Sequence, residues 1–425
     1  MDLFILIAVL LFALLIGLPL PFGLGAAALA TLVYLGDVPL TVVPQRLVAG
    51  INSFAFMAIP FFLLVGNVMN AAGITRRIIE LSNALVGHLP GGLAQVNVVS
   101  SMFFGGISGS ATADTASIGS ILIPAMKKEG YDPEFAVAVT ACSSTCGPII
   151  PPSITMIIYG VMANVSITQL FLAGYLPGLL LGFGLLVVSI IISKQRKYPV
   201  YPRASIADIG RAFASASGAV VLPFLILGGL LTGIFTVTEA AAIAAAYAIL
   251  VGLFVYGELK LRDLPQILYV TAVRSGTLMT VAGAALVFAW VLTYIEVPQT
   301  IAEAIFSVTK NPLLILLLLN LLFLFVGMFM EAKAAMLILL PVILPVLPEV
   351  GIDLIHFGVV VVFNLLVGLV TPPVGLCLNL AAKLGNVPLS RAAIASMPFI
   401  LVQIVVLIII TYVPSFVLWL PSLGR

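Results

Sequence analysis

The sequence predicts an all-α polytopic membrane protein, built as an inverted repeat in which each half carries a re-entrant helical hairpin and an interrupted helix. Three observations carry this expectation. Of the 425 residues 62% are hydrophobic and 8% charged, with a mean hydropathy of +1.28, whereas a water-soluble globule carries roughly 25% charged residues. Apolar runs reach the about 20 residues that a spanning helix needs, and no period-two alternation marks a barrel. Finally, Phe104–Pro152 overlays Phe325–Pro373 without a gap at an offset of 221, with eleven of 49 paired positions identical. The retained residues are mostly those that shape backbone: Gly106/Gly327, Pro124/Pro345, Gly130/Gly351, Asp132/Asp353, Gly147/Gly368 and Pro151-Pro152/Pro372-Pro373. Matching Gly and Pro interruptions in repeated hydrophobic segments point to the binding site of a secondary transporter.

The remaining composition narrows the class. The net charge of +2 is spread thinly, with no basic arm, so no nucleic-acid partner is expected. Cys142 and Cys146 stand at helical spacing in an apolar segment and read as core thiols rather than metal ligands. No HExxH, Walker A or GxGxxG pattern occurs, so neither a cofactor nor ATP-driven chemistry is expected. The start, Met1-Asp2-Leu3-Phe4, is acidic rather than basic, and the first apolar run is expected to remain as a membrane helix.

Residues 1–40 hold the first two expected crossings, Leu3–Leu20 and Phe22–Tyr34. The first repeat occupies 41–197: an interfacial stretch at Thr41–Ile51, a crossing at Phe54–Ala72, a second interfacial stretch at Ile74–Leu85, the hairpin over 91–126, the interrupted helix over 133–163 and a crossing at Leu170–Ser193. Residues 198–261 link the halves with an interfacial Ile206–Ala216 and crossings at Ala219–Thr236 and Ala240–Tyr256. The second repeat, 262–425, has an interfacial Leu261–Ala272 at its start, a crossing at Gly276–Ile295, the hairpin over 312–347, the interrupted helix over 354–384 and a crossing at Ala392–Val413.

Charge sets the orientation. Lys194-Gln195-Arg196-Lys197 with Arg203 is the strongest basic loop and is placed in the cytoplasm. Counting back puts Lys127-Lys128 and Arg76-Arg77 on the same side. Their counterparts differ: Lys127 and Lys128 match Pro348 and Glu349, and the region matching Arg76-Arg77 holds Glu303. Five crossings, an odd number, separate Gly106 from Gly327, so the halves are expected to have opposite orientation, in agreement with the lost positive charges.

The candidate chemistry sits at the breaks. Gly105–Asp114 interrupts the first hairpin and Gly327–Glu331 the second. Backbone that leaves helical geometry in a bilayer must be satisfied by protein, water or ligand. A new helix beginning near Ser108 to Ser110 offers hydroxyl caps and a positive dipole end suited to a carboxylate. The breaks at Gly147–Pro152 and Gly368–Pro373 carry prolines that free carbonyl oxygens at membrane depth, the ligands Na+ prefers, with protons as the alternative coupling ion. Glu331 is an ionisable group near mid-membrane and so a functional candidate, with Lys333 as a partner or a snorkelling cation. Asp114 and Glu239 are possible site residues, the first balanced against local hydrogen bonding and the second against a helix cap. Arg274, at the start of a crossing, is expected to snorkel. Gly106-Ile107-Ser108-Gly109 matches the GxSG pattern of intramembrane serine proteases, but the two histidines, His88 and His356, are expected near helix ends, and the repeat replaces Ser108 by Phe329.

Across nearly its whole length the chain resembles the large membrane subunit, of DctM or SiaM type, of the tripartite ATP-independent periplasmic (TRAP) transporters. The carrying stretches are Gly105–Asp132 (GGISGSATADTASIGSILIPAMKKEGYD), Gly147–Ser153 (GPIIPPS), Thr238–Ala241 (TEAA), Met330–Pro341 (MEAKAAMLILLP) and Thr371–Gly375 (TPPVG). The resemblance implies a multi-pass protein of the bacterial inner membrane and Na+-coupled import of a carboxylate-bearing solute, such as a sialic acid or C4-dicarboxylate. It also implies an elevator in which hairpins and interrupted helices move against the remaining, scaffold helices. The implied partners are a separate small four-helix membrane subunit (DctQ/SiaQ type) and a periplasmic substrate-binding protein (DctP/SiaP type). Carried over by residue, Na+ would be held by Ser108, Gly147, Ile150 and Pro152 in the first half and by Gly327, Met330, Gly368, Thr371 and Pro373 in the second. Ser110, Thr155 and Glu331 would line the solute cavity. A self-sufficient Na+/dicarboxylate symporter is the alternative.

The charge exchange between repeats gives the first test. In a protein with Cys142, Cys146 and Cys377 replaced, Lys128→Cys is expected to react with an impermeant maleimide from the cytoplasm and Glu349→Cys from the periplasm. Labelling of both from one side refutes the inverted arrangement.

Overall fold

The computed structural model describes residues 1–423, with side chains at all of these but 304–306 and 308. Every regular element among the described residues is helical. The chain opens with α1 (Asp2–Leu15) and α2 (Leu20–Leu35), packed on each other and joined through left-handed Gly17; α2 stops at Gly36, also left-handed. At 14 residues α1 is shorter than expected and at 16 residues α2 is longer, because Pro19 at the junction removes an amide donor that would continue α1, while α2 starts earlier, at Leu20. The amphipathic α3 (Val42–Ile51) follows, then a 3₁₀ turn leading into α4 (Ala58–Ala71), and α5 (Ile74–Val86), started by left-handed Gly73.

The first hairpin is α6 (Gly92–Ser108) and α7 (Ala111–Lys128), which pack against each other. The first interrupted helix comprises α8 (Pro133–Ser143), a 3₁₀ turn and α9 (Ile154–Met162), and α10 (Ile167–Gln195) follows, capped by Ser166. Next come α11 (Ile206–Leu231), α12 (Val237–Leu250) with a π-helical continuation, and α13 (Leu264–Tyr294). The second half repeats the plan after α14 (Val297–Val308): α15 (Pro312–Gly327) and α16 (Ala332–Ile343), the short α17 (Val346–Glu349), then α18 (Leu354–Gly368) and α19 (Leu376–Gly385). α20 (Leu389–Tyr412) and α21 (Pro414–Leu423) end the described chain.

Two expected boundaries do not exist. The interfacial Ile206–Ala216 and the crossing after it form one helix of 26 residues, and Leu261–Ala272 runs without a break into a helix of 31 residues. Ser205 and Asp208 form a reciprocal capping box that starts α11 beyond the apolar stretch. In α13 the hydroxyls of Thr271 and Thr277 donate to the carbonyls of Ile267 and Val273 four residues back, so the polar patch is absorbed by the helix itself. Six helical stretches are long and apolar enough to cross a membrane, at Phe54–Ala71, Ile167–Gln195, Ile206–Leu231, Val237–Tyr256, Leu261–Tyr294 and Leu389–Tyr412. This is a multi-pass membrane protein.

What holds the broken segments is backbone-to-backbone packing. The break at Gly147 lies against Gly105 so closely that a Cβ on Gly105 would stand 2.2 Å from the Gly147 Cα. In the second half a Cβ on Gly368 would stand 2.6 Å from the Gly327 Cα. The tip of the first hairpin continues the contact, since a Cβ on Gly109 would come within 3.0 Å of the Pro152 carbonyl oxygen. In the second half the Gly375 N–H donates to the Met328 carbonyl at 3.1 Å. Each hairpin tip is thus seated in the break of the interrupted helix that follows it. Both double prolines are joined by cis peptide bonds.

The seat leaves no room for a side chain. Gly105→Ala is expected to destabilise the purified protein by about 1–3 kcal/mol, because overpacking against backbone cannot relax by a rotamer change. Gly25→Ala, in α2 with nothing within 4 Å of the added atom, is expected to be neutral or mildly stabilising. Thermal unfolding in detergent distinguishes the two.

Candidate functional site

The site is built where the two hairpin tips meet. Helix α6 ends because Gly109 turns left-handed at φ 57°, and Ser110, in extended geometry, restarts the chain as the cap of α7: its Oγ accepts from the Ala113 N–H at 3.5 Å and lies 3.2 Å from Thr112 Oγ1. Ser108 is the last residue of α6, and its Oγ accepts from the Ser110 N–H at 3.4 Å. On the other side Glu331 caps the position before α16 and forms an ion pair with Lys333, which is nearly buried while Glu331 is 40% exposed. Sequence reasoning left Lys333 between pairing and snorkelling; it pairs.

Ser110, Thr155 and Glu331 line one small crevice together with Gly109, Thr112, Pro148 and Lys333. The three expected solute residues, from α7, α9 and the second hairpin, therefore converge. The crevice adjoins a cavity of ≈610 Å³ lined by Ser108, Ser110, Thr112, Glu331 and Lys333 on the hairpin side and by Gly66, Asn67, Asn70, Arg274 and Thr277 from α4 and α13. Ala113, Ala116 and Ser117 carry it along α7 toward Lys127-Lys128, and Asn67 and Asn70 along α4 toward Arg76-Arg77. It therefore extends from the tips toward the basic end of the molecule.

The breaks expose backbone oxygen. No described backbone hydrogen bond ends on the carbonyls of Gly147, Ile150, Pro152, Gly327, Met330, Thr371 or Pro373, whereas the Gly368 carbonyl accepts from the Thr371 N–H at 3.1 Å. Main-chain oxygens of this kind suit a hard monovalent cation. Thr371 also donates its hydroxyl to the Val367 carbonyl at 2.7 Å, which keeps the first turn of the break compact.

Asp114 is fully buried among α6, α7 and α8. Its Oδ1 accepts from Ser101 Oγ at 3.3 Å, and Ser101 lies 3.1 Å from Ser143 Oγ, which donates to Asn97; Asp114 Oδ2 has no partner among the described residues and faces Gly147. It lies under the first tip rather than in the open cavity. Glu239 is elsewhere: it closes a capping box at the start of α12, accepting from the Thr236 N–H at 2.8 Å, and does not line the cavity. Arg274 is exposed and stands in the cavity wall, where its Nη1 donates to Asn67 Oδ1 at 3.3 Å. The signals that could have found it were the polar neighbours Thr271, Ser275 and Thr277 on its own helix and the Asn67/Asn70 pair, one turn apart in an apolar segment. Ser108 has no histidine near it in this lining, and His356 bonds to the Ile410 carbonyl at 2.7 Å.

Comparison with known proteins agrees with this architecture. The family described as "Tripartite ATP-independent periplasmic transporter, DctM component" matches residues 6–416. Among curated proteins the chain is similar to the sialic acid TRAP transporter large permease protein SiaM of Vibrio cholerae, at 39% identity over 96% of this chain and 95% of the relative. It is also similar to the C4-dicarboxylate TRAP transporter large permease protein DctM of Pseudomonas aeruginosa, at 41% identity over 87% of this chain and 86% of the relative. Among solved structures the YdaH transporter of Alcanivorax borkumensis shares the fold with a TM-score of 0.65 at 16% identity, covering 97% of this chain and 98% of the other. These relatives are permeases, so the chain is a transporter and not an enzyme.

The tip chemistry is open to test through Ser110. Ser110→Ala removes both the α7 cap and a cavity hydroxyl and is expected to lower the stability of the purified protein by about 1 kcal/mol. In proteoliposomes the same change is expected to reduce uptake several-fold. Ser110→Thr, which keeps a capping hydroxyl, is expected to restore most of the stability. Wild-type uptake by the alanine variant would remove Ser110 from the site.

Proposed function

The chain belongs to the DctM component family of tripartite ATP-independent periplasmic transporters, and from that premise we propose that it couples inward Na+ movement to import of a carboxylate-bearing solute across a bacterial inner membrane. The observation that carries this reading is the pairing, in each half, of a hairpin tip with a helix break most of whose carbonyls take no backbone hydrogen bond, beside a cavity holding Ser110 and Glu331. In this reading one Na+ is held by Ser108, Gly147, Ile150 and Pro152, and a second by Gly327, Met330, Gly368, Thr371 and Pro373, largely through main-chain oxygens. Ser110 and Thr155 present hydroxyls, and the start of α7 its amide dipole, to the solute carboxylate. Glu331 is neutralised by Lys333 and shapes the opposite wall. Asp114 places a buried carboxyl, one oxygen of it unpartnered among the described residues, beneath the first ion site.

The solute class follows the relatives, whose names give sialic acid and C4-dicarboxylates. As a large permease the chain would work with a separate small membrane subunit and a periplasmic binding protein that captures the solute, because its own polar cavity lies within the membrane-embedded helices. Transport would proceed as an elevator: the hairpins with α8, α9, α18 and α19 move as one body against a wall that includes α4 and α13.

Two arms of one reconstitution test this. With small subunit and binding protein present, an inward Na+ gradient is expected to drive accumulation of labelled N-acetylneuraminate or succinate, with about two Na+ per solute, one for each half. Undiminished uptake without Na+, under a proton gradient alone, overturns the ion assignment. Full activity of this chain without its partners overturns the tripartite reading in favour of a self-sufficient symporter.

A further inference from the structure

We propose that Arg274 is the anion-holding residue of a second, release-side carboxylate subsite, on the cavity wall opposite the hairpin tips. The proposal rests on the carboxylate-import reading for the identity of its ligand, but not for the existence of the subsite.

Arg274 lies ten residues into α13, about 15 Å along the helix axis. Its side chain is exposed and faces the cavity it lines. No carboxylate pairs with it among the described residues. The charged side chains lining the cavity are Arg274, Glu331 and Lys333, and the last two pair with each other. Arg274 is thus the cavity's uncompensated charge.

Its orientation is built in. The Thr271 hydroxyl donates to the Ile267 carbonyl at 2.7 Å and accepts from Asn67 Nδ2 at 2.8 Å, which turns Asn67 Oδ1 toward Arg274 Nη1 at 3.3 Å. That chain uses one of the five guanidinium N–H donors and leaves four without a protein partner among the described residues. A planar fork of free donors, fixed from behind, suits a carboxylate held through two parallel bonds. Were Arg274 only a bridge between α13 and α4, a neutral glutamine would serve, since its single partner is an amide oxygen.

Position gives the subsite its role. Arg274 stands on α13, which packs on α2, α3 and α4 and also meets α16 of the second hairpin, whereas Ser110 stands at the tip of the first hairpin. A carboxylate leaving Ser110 toward the basic end of the cavity passes the guanidinium. Arg274 therefore governs affinity at the release face, and Ser110 affinity at the tips.

The test reads the charge directly and does not require transport. In the assembled transporter, with Cys142, Cys146 and Cys377 replaced, Thr277→Cys places a thiol in the cavity lining three residues from Arg274. The reaction rates of an anionic sulfonatoethyl and a cationic trimethylammonioethyl methanethiosulfonate are compared. Adding Arg274→Gln is expected to lower the anionic-to-cationic rate ratio about fivefold, from removal of one nearby charge in a wet cavity, and Arg274→Lys to keep most of it. Millimolar succinate or N-acetylneuraminate is expected to slow the anionic reagent in the Arg274 protein and not in Arg274→Gln. Asn67→Ala, which leaves the charge but frees its orientation, is expected to keep the ratio and weaken the protection. An unchanged ratio, or a changed ratio with equal protection in both proteins, overturns the proposal. If these results hold while Na+-driven uptake fails, the ion-coupling reading falls and the anion subsite stands.

Discussion

A bilayer offers no water to an unpaired amide or carbonyl, and this architecture is arranged around that constraint. Helices break at four places within the bundle, which would be prohibitive for a helix facing lipid. Here each break faces another break. Gly105 meets Gly147 and Gly368 meets Gly327 with only main chain between them, and the Gly375 amide bonds to the Met328 carbonyl across the second junction. Glycine is demanded at these contacts by distance, not by φ. In the proposed reading the junctions turn a liability into a function, because main-chain carbonyls left without amide partners could receive a cation.

The two halves share this frame and differ in what they hang on it. In the first, buried polar side chains run from Thr140 through Asn97, Ser143 and Ser101 to Asp114. In the second, the position of Ser143 is taken by Asn364, which donates to the Asn320 carbonyl and side chain, and Asn320 donates to Thr411. No acid stands where Asp114 does; the charge has moved to the tip, as Glu331 with its own Lys333. Duplicated backbone with diverged side chains suits the proposed pair of ion sites with one shared solute pocket. The main-chain breaks survive divergence, while the pocket between the tips is asymmetric.

Much of this was legible in the sequence because Gly and Pro are expensive inside membrane helices, so their recurrence at a fixed offset marks geometry rather than composition. The breaks at Gly106/Gly327 and Gly147/Gly368 carry that signature, and Ser110 and Glu331 were reached from their position at those breaks. The continuous helices were not legible: Ile206–Ala216 and Leu261–Ala272 look like interface, yet hydroxyls bonding back to their own helix and a capping box placed further out let α11 and α13 run through. Glu239 was ambiguous because a capping carboxylate and a solute-binding one have the same neighbours in sequence. The place of Arg274 in the cavity wall was not legible because it depends on which way the side chain turns, and its partner there, Asn67, lies 207 residues away.

That long-range hydrogen bond also bears on how the parts can move. The wall opposite the tips is made of uninterrupted helix: α13 has its one proline in the first turn, and its threonine hydroxyls reinforce the ladder. The hairpin side is made of short helices joined at glycine contacts. Beside the cavity the two sides approach through small residues; Gly66 of α4 faces the Ser108 backbone so that an added Cβ would sit 3.4 Å from its Cα, and Ala113 and Ala116 line the gap, while α13 also packs on α16. In the proposed elevator a contact of small residues is one that can slide with little side-chain rearrangement. The Arg274–Asn67 link lies wholly within the wall and the Glu331–Lys333 pair wholly within the moving side. Charge is therefore neutralised or oriented inside each body, and the solute carboxylate is left as the group that can pass between them.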